Sequence, residues 1–530
     1  MAENQVFWAE EIADKVKARE KFYFSDEKIS HIKKWAVKSS SSLSGVLHIG
    51  RLSDLIRGEA VSRALEKKKF SQDFIYVTED MDPLRKIPEG VPKDFCDYIG
   101  MPVSDVPDPF GCHSSYAEHF VSAFFEVLDD FLSSKPKVFS MRKEYKKGSF
   151  NDSIKLLVEK ADDVKKIIES KQDNKLEEQW SPWKPICEKC GKLQTTFLTK
   201  VDGSSIEYKC QDYKFEKTVA KGCGFEGKAN LRKGNGKLVW KSEWAAQWNH
   251  WNVCSEGAGK EYEARNSAFW VNAEICEKVL HYPMPVPIFY EHLMIDGRKM
   301  SASVGNVVYP KEWVEVSRPE ALKYLYMKRI MKSRSFSWHD VPNLELELDR
   351  AASEKGNKLV EYSSIKGRKI LPVPVDYGTI ASLVQLFKED SLLLGNLSES
   401  GLLAKKLAME ERSSLLERIG MARKWVEKYA PQEFKLSFLE NLSKRETNAM
   451  DASAKKLLPA LFKKLSPLDS AEEMQQAIFE LAKASNVKPK LLFKAVYLAL
   501  TGKDSGPRAG LLILALGKDR CLGRFKEVAG

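Results

Sequence analysis

A histidine beside glycines and a lysine set among serines carry the chemistry most easily read from this chain. The first lies in Ser44-Gly45-Val46-Leu47-His48-Ile49-Gly50-Arg51 and the second in Arg298-Lys299-Met300-Ser301-Ala302-Ser303-Val304-Gly305-Asn306. Glycine lets a backbone approach an anion closely, and an imidazole can hydrogen-bond a phosphate oxygen as charge develops on it. A lysine on a Gly/Ser-rich loop can clamp a leaving pyrophosphate and exclude water. Alone, each is compatible with an ordinary turn. Together, His-Ile-Gly and Lys-Met-Ser, about 250 residues apart, point to a phosphate-handling site.

A second chemical group is Cys187-x-x-Cys190-Gly191, followed by Cys210 and Cys223-Gly224. A CxxC-Gly knuckle lets two thiolates reach one Zn²⁺ while backbone amides support the sulfurs. The intervals of 19 and 12 residues fit one tetrahedral four-cysteine site that holds shape and leaves no position for catalysis. The other reading is a set of reduced free cysteines. Trp240, Trp244, Trp248 and Trp251 could form a base-stacking ladder, but core or pocket wall is the expectation, with Trp244 the functional candidate.

Elements to position these groups follow from the patterning. The run from Lys33 to Val37 reads as a strand, and Phe74 to Val77 as a second, ending at Thr78 and the acids Glu79, Asp80 and Asp82. Between them Leu52, Leu55, Ile56, Ala60, Ala64 and Leu65 recur at helical spacing. Strand, Ser/Gly loop, helix and strand make a parallel βαβ unit, and the strand-to-helix crossing is where phosphates bind. Pro287 to Met294 is a later strand, directly before the lysine loop. Ser317 to Glu320 has the form of a capping box opening a helix with Lys323, and Ser470 to Glu473 forms another. Pro372 and Pro374 mark a linker, and helices follow Tyr377.

The bulk numbers set limits. Three or four domains are expected of 530 residues. A net charge of +11 suits a polyanionic partner. Residues 401–530 hold 24 Lys+Arg against 15 Asp+Glu, so most of that excess lies in the last quarter. There is no apolar leader and no membrane-length apolar run. Nine cysteines, five of them scattered singly, are no disulfide framework and suit a reducing cytoplasm.

The two loops resemble the HIGH and KMSKS signatures of class I aminoacyl-tRNA synthetases. Trp8 to Lys15, Arg85-Lys86-Ile87-Pro88, the run from Tyr98 to Phe120, Ala258-Gly259-Lys260-Glu261 and the segment from Ala499 to Asp519 are similar to the class I lysyl-tRNA synthetase family. The resemblance implies roles. His48 and Gly50 would contact ATP phosphates, and Lys299 with Ser301 and Ser303 would stabilise the departing pyrophosphate. Gly259 and Glu261 would hold the ribose. Ser40, Ser42, Asp80, Trp244, Tyr262 and Tyr290 would line the lysine pocket, and Arg508 would meet tRNA. ATP with Mg²⁺, L-lysine and tRNA(Lys) are the implied partners, Zn²⁺ a structural ion, and a cytoplasmic monomer the expected form.

Departures from the family pattern fall at Arg51 (usually Asn or His), Ala302, Val304, Ser40 (Gly), Tyr262 (His) and Glu261 (Asp). They keep three alternatives open: a glutamyl-like class I synthetase, a nucleotidylyltransferase, and a decayed paralogue that only binds RNA. The expected architecture is α/β: a Rossmann-like catalytic domain with an inserted connective and zinc module, then an all-α C-terminal domain. Its boundaries are 1–179 and 240–310 for the catalytic domain, 180–239 for the zinc insertion, 311–367 for a stem-like segment and 368–530 for the helical anticodon-binding domain.

Overall fold

A computed structural model describes residues 7–43, 45–300, 306–366, 368–399, 401–403, 407–432 and 434–528. The chain forms two compact units. One comprises residues 1–312, 322–336 and 358–369; the other 313–321, 337–357 and 370–530. The segment 311–367 is thus divided between them.

The first unit is built on a five-stranded parallel sheet. Its strands are β1 (Trp35–Ser42), β2 (Gln72–Glu79), β3 (Lys137–Ser140), β4 (Val253–Gly259) and β5 (Val286–Tyr290), in the order β5-β4-β1-β2-β3. The chain leaves β1 toward β2 on one side and later returns to β4 on the other. The C-terminal ends of β1 and β4 therefore flank a topological switch point, where α/β sheets open a ligand crevice. β1 runs five residues past its apolar stretch because Ser39 and Ser41 are buried in the sheet, with the Ser39 hydroxyl donating to the Asp54 carbonyl (3.3 Å).

Helix α1 (Ile49–Lys67) connects β1 to β2, and its periodic apolar residues Leu52, Leu55, Ile56, Ala60, Ala64 and Leu65 are fully buried. Helix α2 (Trp240–His250) precedes β4, and α3 (Ala268–Lys278) connects β4 to β5. Trp244 and Trp248 lie in the core, with Trp240 and Trp251 packed partly buried against it. The expected strand from Pro287 to Met294 is broken in two. β5 stops at Tyr290, and Leu293–Ile295 joins a separate small sheet between Arg298–Lys299 and Arg334–Phe336. The turn between its first two strands places Asp296 (φ 48°) and Gly297 (φ 75°) in the left-handed region.

An inserted module is closed at its base by Trp183–Pro185 pairing antiparallel with Gly236–Leu238. Its body is a three-stranded antiparallel sheet of Thr196–Asp202, Ser205–Cys210 and Glu226–Asn230.

The second unit is helical. From Ala452 to Glu527 five helices pack around Leu458, Leu461, Leu492, Val496, Leu512 and Phe525. The Ser470 hydroxyl caps the second of them by accepting from the Glu473 amide (3.3 Å). The Ser317 hydroxyl donates to the Glu345 carboxylate (2.7 Å). That carboxylate belongs to a buried ionic knot. Arg318 and Arg418 both reach Glu345 and Asp349 at 2.6 to 3.2 Å. Among the described residues no helix is long and apolar enough to cross a membrane.

Candidate active site

His48 sits where β1 gives way to α1, as the residue before the first helical turn. Its Nδ1 accepts the Gly50 amide (3.1 Å), which orients the ring. Burial pushes its pKa down to about 4, with the Arg51 charge adding to the effect. The imidazole is therefore neutral near pH 7. With Nδ1 already an acceptor, the ring proton sits on Nε2, leaving a neutral N–H donor at the positive end of a helix.

Gly50 matters for the space it leaves. A β-carbon there would lie 2.8 Å from the His48 ring and 2.8 Å from the Met300 methyl. The absence of a side chain at residue 50 thus leaves room for the Met300 methyl and the His48 ring beside the first turn of α1. Further on, the Ile49 backbone amide donates to the Val308 carbonyl (2.9 Å), and the Asn306 side-chain Nδ2 to the Lys299 carbonyl (3.0 Å). The two loops read from the sequence are therefore adjacent in space.

Between them is a cavity of about 190 Å³. His48, Gly50, Arg51, Glu261, His292 and Lys299 line it, together with Ser40, Asp54 and Tyr290. Glu261 follows the end of β4 and pairs with His292 (2.8 Å). Burial opposes ionisation of Glu261, but hydrogen bonds from its own backbone and from His292 outweigh it and hold the carboxyl below its usual range. Gly259 gives that carboxylate room, because a β-carbon would meet it at 2.5 Å. Asp54, buried on α1, is pushed up to about 6 by burial and then by the Glu256 charge.

Arg51 also lines a second cavity of about 460 Å³ with Ser42, Leu43, Asp82, Val103 and the backbone stretch 83–86. The Ser42 hydroxyl donates to Asp82 (2.8 Å). Behind Asp82 lies a buried charge network. Lys38 pairs with Glu256 (2.6 Å) and stands 4.0 Å from Glu79, while Lys237 contacts Glu243 and lies 3.6 Å from Asp82. Gln247 donates to Glu79 (3.1 Å), Tyr145 to Glu243 (2.6 Å) and Trp248 to Glu256 (2.5 Å). Burial, reinforced by the Glu243 and Asp82 charges against the nearby lysines, pushes Glu79 up to about 8.

Most sequence-derived positions converge here. His48, Gly50, Lys299, Glu261, Ser40 and Tyr290 share the smaller cavity, and Ser42 faces the larger one. Tyr262 packs edge-on to Trp244 (5.3 Å), whose buried indole N–H has no hydrogen-bond partner among the described residues. Asp80 is placed otherwise. Its carboxylate accepts from the Ser140 hydroxyl (2.5 Å) and the Arg142 amide (2.8 Å), so it braces β2 against β3, whereas Asp82, with Glu216, lines the larger cavity. Ser301 and Ser303 lie outside the described residues. Arg508 is exposed at the start of Ala509–Leu516, 4.0 Å from Glu472. His292 and Asp54 escaped sequence reasoning. Asp54 lies on α1 three residues past Arg51 of the first motif, and His292 lies two residues past the end of β5.

The module cysteines also converge. Cys187 and Cys223 lie 3.6 Å apart, as do Cys190 and Cys210, and all four sulfurs fall within 4.8 Å of one another. A tetrahedral ion with bonds near 2.3 Å needs sulfur–sulfur edges of about 3.8 Å. Gly191 (φ 71°) and Gly224 (φ 72°) form the two turns behind them. The donor set fits Zn²⁺.

A family model described as tRNA synthetases class I (K) matches residues 6–365, and one described as anticodon binding domain matches residues 408–529. A lysine–tRNA ligase of Pyrococcus horikoshii is 30% identical, covering 98% of this chain and 99% of that protein. One of Methanosphaera stadtmanae is 27% identical over the same shares. Among solved structures, the glutamate–tRNA synthetase of Elizabethkingia anophelis matches with a TM-score of 0.43 and 12% identity, covering 94% of this chain and 100% of that one.

Proposed function

This chain belongs to the class I (K) tRNA synthetases, and from that premise we propose that it is a lysine–tRNA ligase, joining L-lysine to tRNA(Lys) through a lysyl-adenylate. The single observation that carries the catalytic reading is the seating of Lys299 and Met300 against His48 and Gly50, over the switch point of a parallel sheet. In the first step the lysine carboxylate attacks the α-phosphorus of ATP and pyrophosphate leaves. The His48 Nε2–H donates to a phosphate oxygen as charge builds there, and the Lys299 ammonium stabilises the departing pyrophosphate. Glu261, kept ionised beside His292, accepts from a ribose hydroxyl. Mg²⁺ enters as part of the nucleotide, on its phosphates. In the second step the terminal ribose hydroxyl of tRNA takes the lysyl group, and the helical unit with Arg508 contacts the anticodon region.

Arg51 borders both cavities, so we place the reacting carboxylate there. The side chain extends past Ser42, and its ε-ammonium meets Asp82. Rejection of ornithine rests on that reach, since one methylene is worth about 1–3 kcal/mol of pocket fit. Trp244 and Tyr262, which pack edge-on to each other and line neither cavity, would back the pocket as an apolar wall. Cys187, Cys190, Cys210 and Cys223 would hold a zinc ion that fixes the inserted module, whose closing strand delivers Lys237 to the acid network.

The deciding experiment is aminoacylation of total tRNA with each of the twenty amino acids. Lysine alone should charge, with lysine-dependent ATP–pyrophosphate exchange when tRNA is present. Charging with glutamate instead, or with no amino acid at all, would overturn the reading. Metal analysis should find the module zinc lost in Cys187→Ser, with the module more open to protease.

A further inference from the structure

The chain between Cys210 and Cys223 does more than space two cysteines. Tyr213–Lys214 pairs antiparallel with Val219–Ala220, and the Phe215 amide donates to the Thr218 carbonyl (2.8 Å), which closes a hairpin turn over residues 215–218. The tip of that hairpin, Phe215 to Lys217, lines the larger cavity together with Asp82 and Arg51. We propose that the tip is the roof of the amino-acid pocket, and that Phe215 determines specificity there by covering the methylenes of the bound lysine. This rests on the lysine reading of the cavity.

Floor and roof separate by burial. Leu43, Leu84 and Val103 line the same cavity and are at most 2% exposed, so they belong to the body beneath it. Phe215 is half-buried, its ring edge-on to Tyr213 with centroids 5.0 Å apart. Its remaining apolar surface faces water until an alkyl chain lies against it, and burying that surface favours the bound state. Charge is not what the tip supplies. Glu216 is exposed and next to Lys217, so solvent screens it, and half-buried Asp82 remains the partner of the ε-ammonium.

The hairpin is held at its base and along its second strand. Cys210 and Cys223 stand just outside the two strands, and the Cys223 amide donates to the Cys210 sulfur (3.3 Å). A β-carbon on Gly222 would lie 2.4 Å from the Gln211 carbonyl carbon, so a glycine there lets the two legs run this close. Asp212 accepts from the Gly222 amide (2.9 Å) and from the Lys221 ammonium (2.7 Å). Beyond the base, Ala220 is fully buried against Gly100, and the Thr218 hydroxyl donates to the Arg85 carbonyl (2.5 Å). These contacts set the tip against the segment that follows Asp82. The four-cysteine cluster thus anchors a wall of the pocket as well as its own module.

The test uses the full chain loaded with zinc, and reads L-lysine binding by calorimetry with tRNA present. Phe215→Ala should weaken lysine about tenfold, the worth of cover on about two methylenes, with zinc content and tRNA affinity unchanged. Phe215→Leu restores apolar cover and should recover most of that loss. Unchanged lysine affinity in Phe215→Ala would overturn the proposal. So would a loss of tRNA affinity with lysine affinity intact, which would make the ring a stacking platform for the tRNA 3′ end. If Phe215→Ala loses its zinc, hydrogen exchange in the wild type decides. Lysine should slow exchange of the amides from Phe215 to Thr218, and unchanged exchange there overturns the roof. A wild type that binds no lysine overturns the lysine reading itself, and the roof with it.

Discussion

Each unit of the molecule buries a network of charges, and the two networks differ in balance. In the helical unit Arg318 and Arg418 face Glu345 and Asp349, two cations to two anions, each carboxylate reached by both guanidinium groups. In the α/β unit Lys38 and Lys237 face Glu79, Glu243, Glu256 and Asp82, two cations to four anions. Desolvating like charges is costly, and a surplus left inside a protein either takes up protons or waits for a counter-ion. Glu79, pushed up to about 8, does the first; Asp82, open to the cavity, is placed for the second. A balanced buried network holds structure, and an unbalanced one with an open edge marks where a charged ligand belongs.

The largest effect should come from unbalancing the closed knot. Arg418→Met leaves two buried carboxylates sharing one guanidinium, so the helical unit should lose about 3–5 kcal/mol of stability. Denaturant titration of that unit measures it, and a loss below about 1 kcal/mol, the range of an exposed pair, would mean the knot is not a closed structural element.

Lys299 belongs to neither network. Its cation lines the cavity, and its effect should fall on the transition state. Lys299→Ala should cut the adenylation rate by about 10²–10³-fold with little change in ATP affinity. Equal losses in rate and in affinity would make it a ground-state anchor.

Asp82→Asn removes the one acid of the open network that meets the cavity. Lysine affinity should fall by roughly 10–10²-fold, the worth of about 1.5–3 kcal/mol for a charge-assisted hydrogen bond. Fold stability should hold, because Lys237 keeps Glu243. A large loss of stability with lysine affinity intact would put Asp82 in the structural class with Asp349.

The sequence made some of this legible and hid the rest for physical reasons. Local rules identified α1 from its apolar period, His48 and Lys299 from their loops, and four module cysteines from a knuckle and two intervals. The end of β1 was hidden because serines satisfy a buried strand without looking apolar. The acids were harder. Glu79, Asp80 and Asp82 are neighbours in the chain, yet one is buried beside Lys38, one braces β3, and one meets a cavity. Lys237 and His292 come from distant segments that only the fold brings near.

The smallest effect on lysine affinity is a pH dependence that tests the surplus directly. Glu79 is buried among Lys38, Lys237, Glu243 and Asp82, and its carboxyl is raised to about 8. An acid raised above its unfolded value adds stability that is complete below about pH 4.3 and is lost as pH climbs through 8. The unliganded α/β unit should therefore lose stability over that window. A lysine ammonium at Asp82 adds a positive charge to the network and favours the ionised Glu79, so binding releases a proton below pH 8. Lysine affinity should consequently rise with pH, by about tenfold between pH 6 and 8 if binding brings Glu79 only partway back toward its ordinary range. Above that it should level off until the ligand's own ammonium titrates near pH 10. Glu79→Gln cannot exchange that proton, and its lysine affinity should be flat across the same range. Calorimetry in buffers of different ionisation enthalpy reads the proton release itself. A flat wild-type profile with no proton released would show that the ammonium does not reach this network, and Asp82 would lose its assignment.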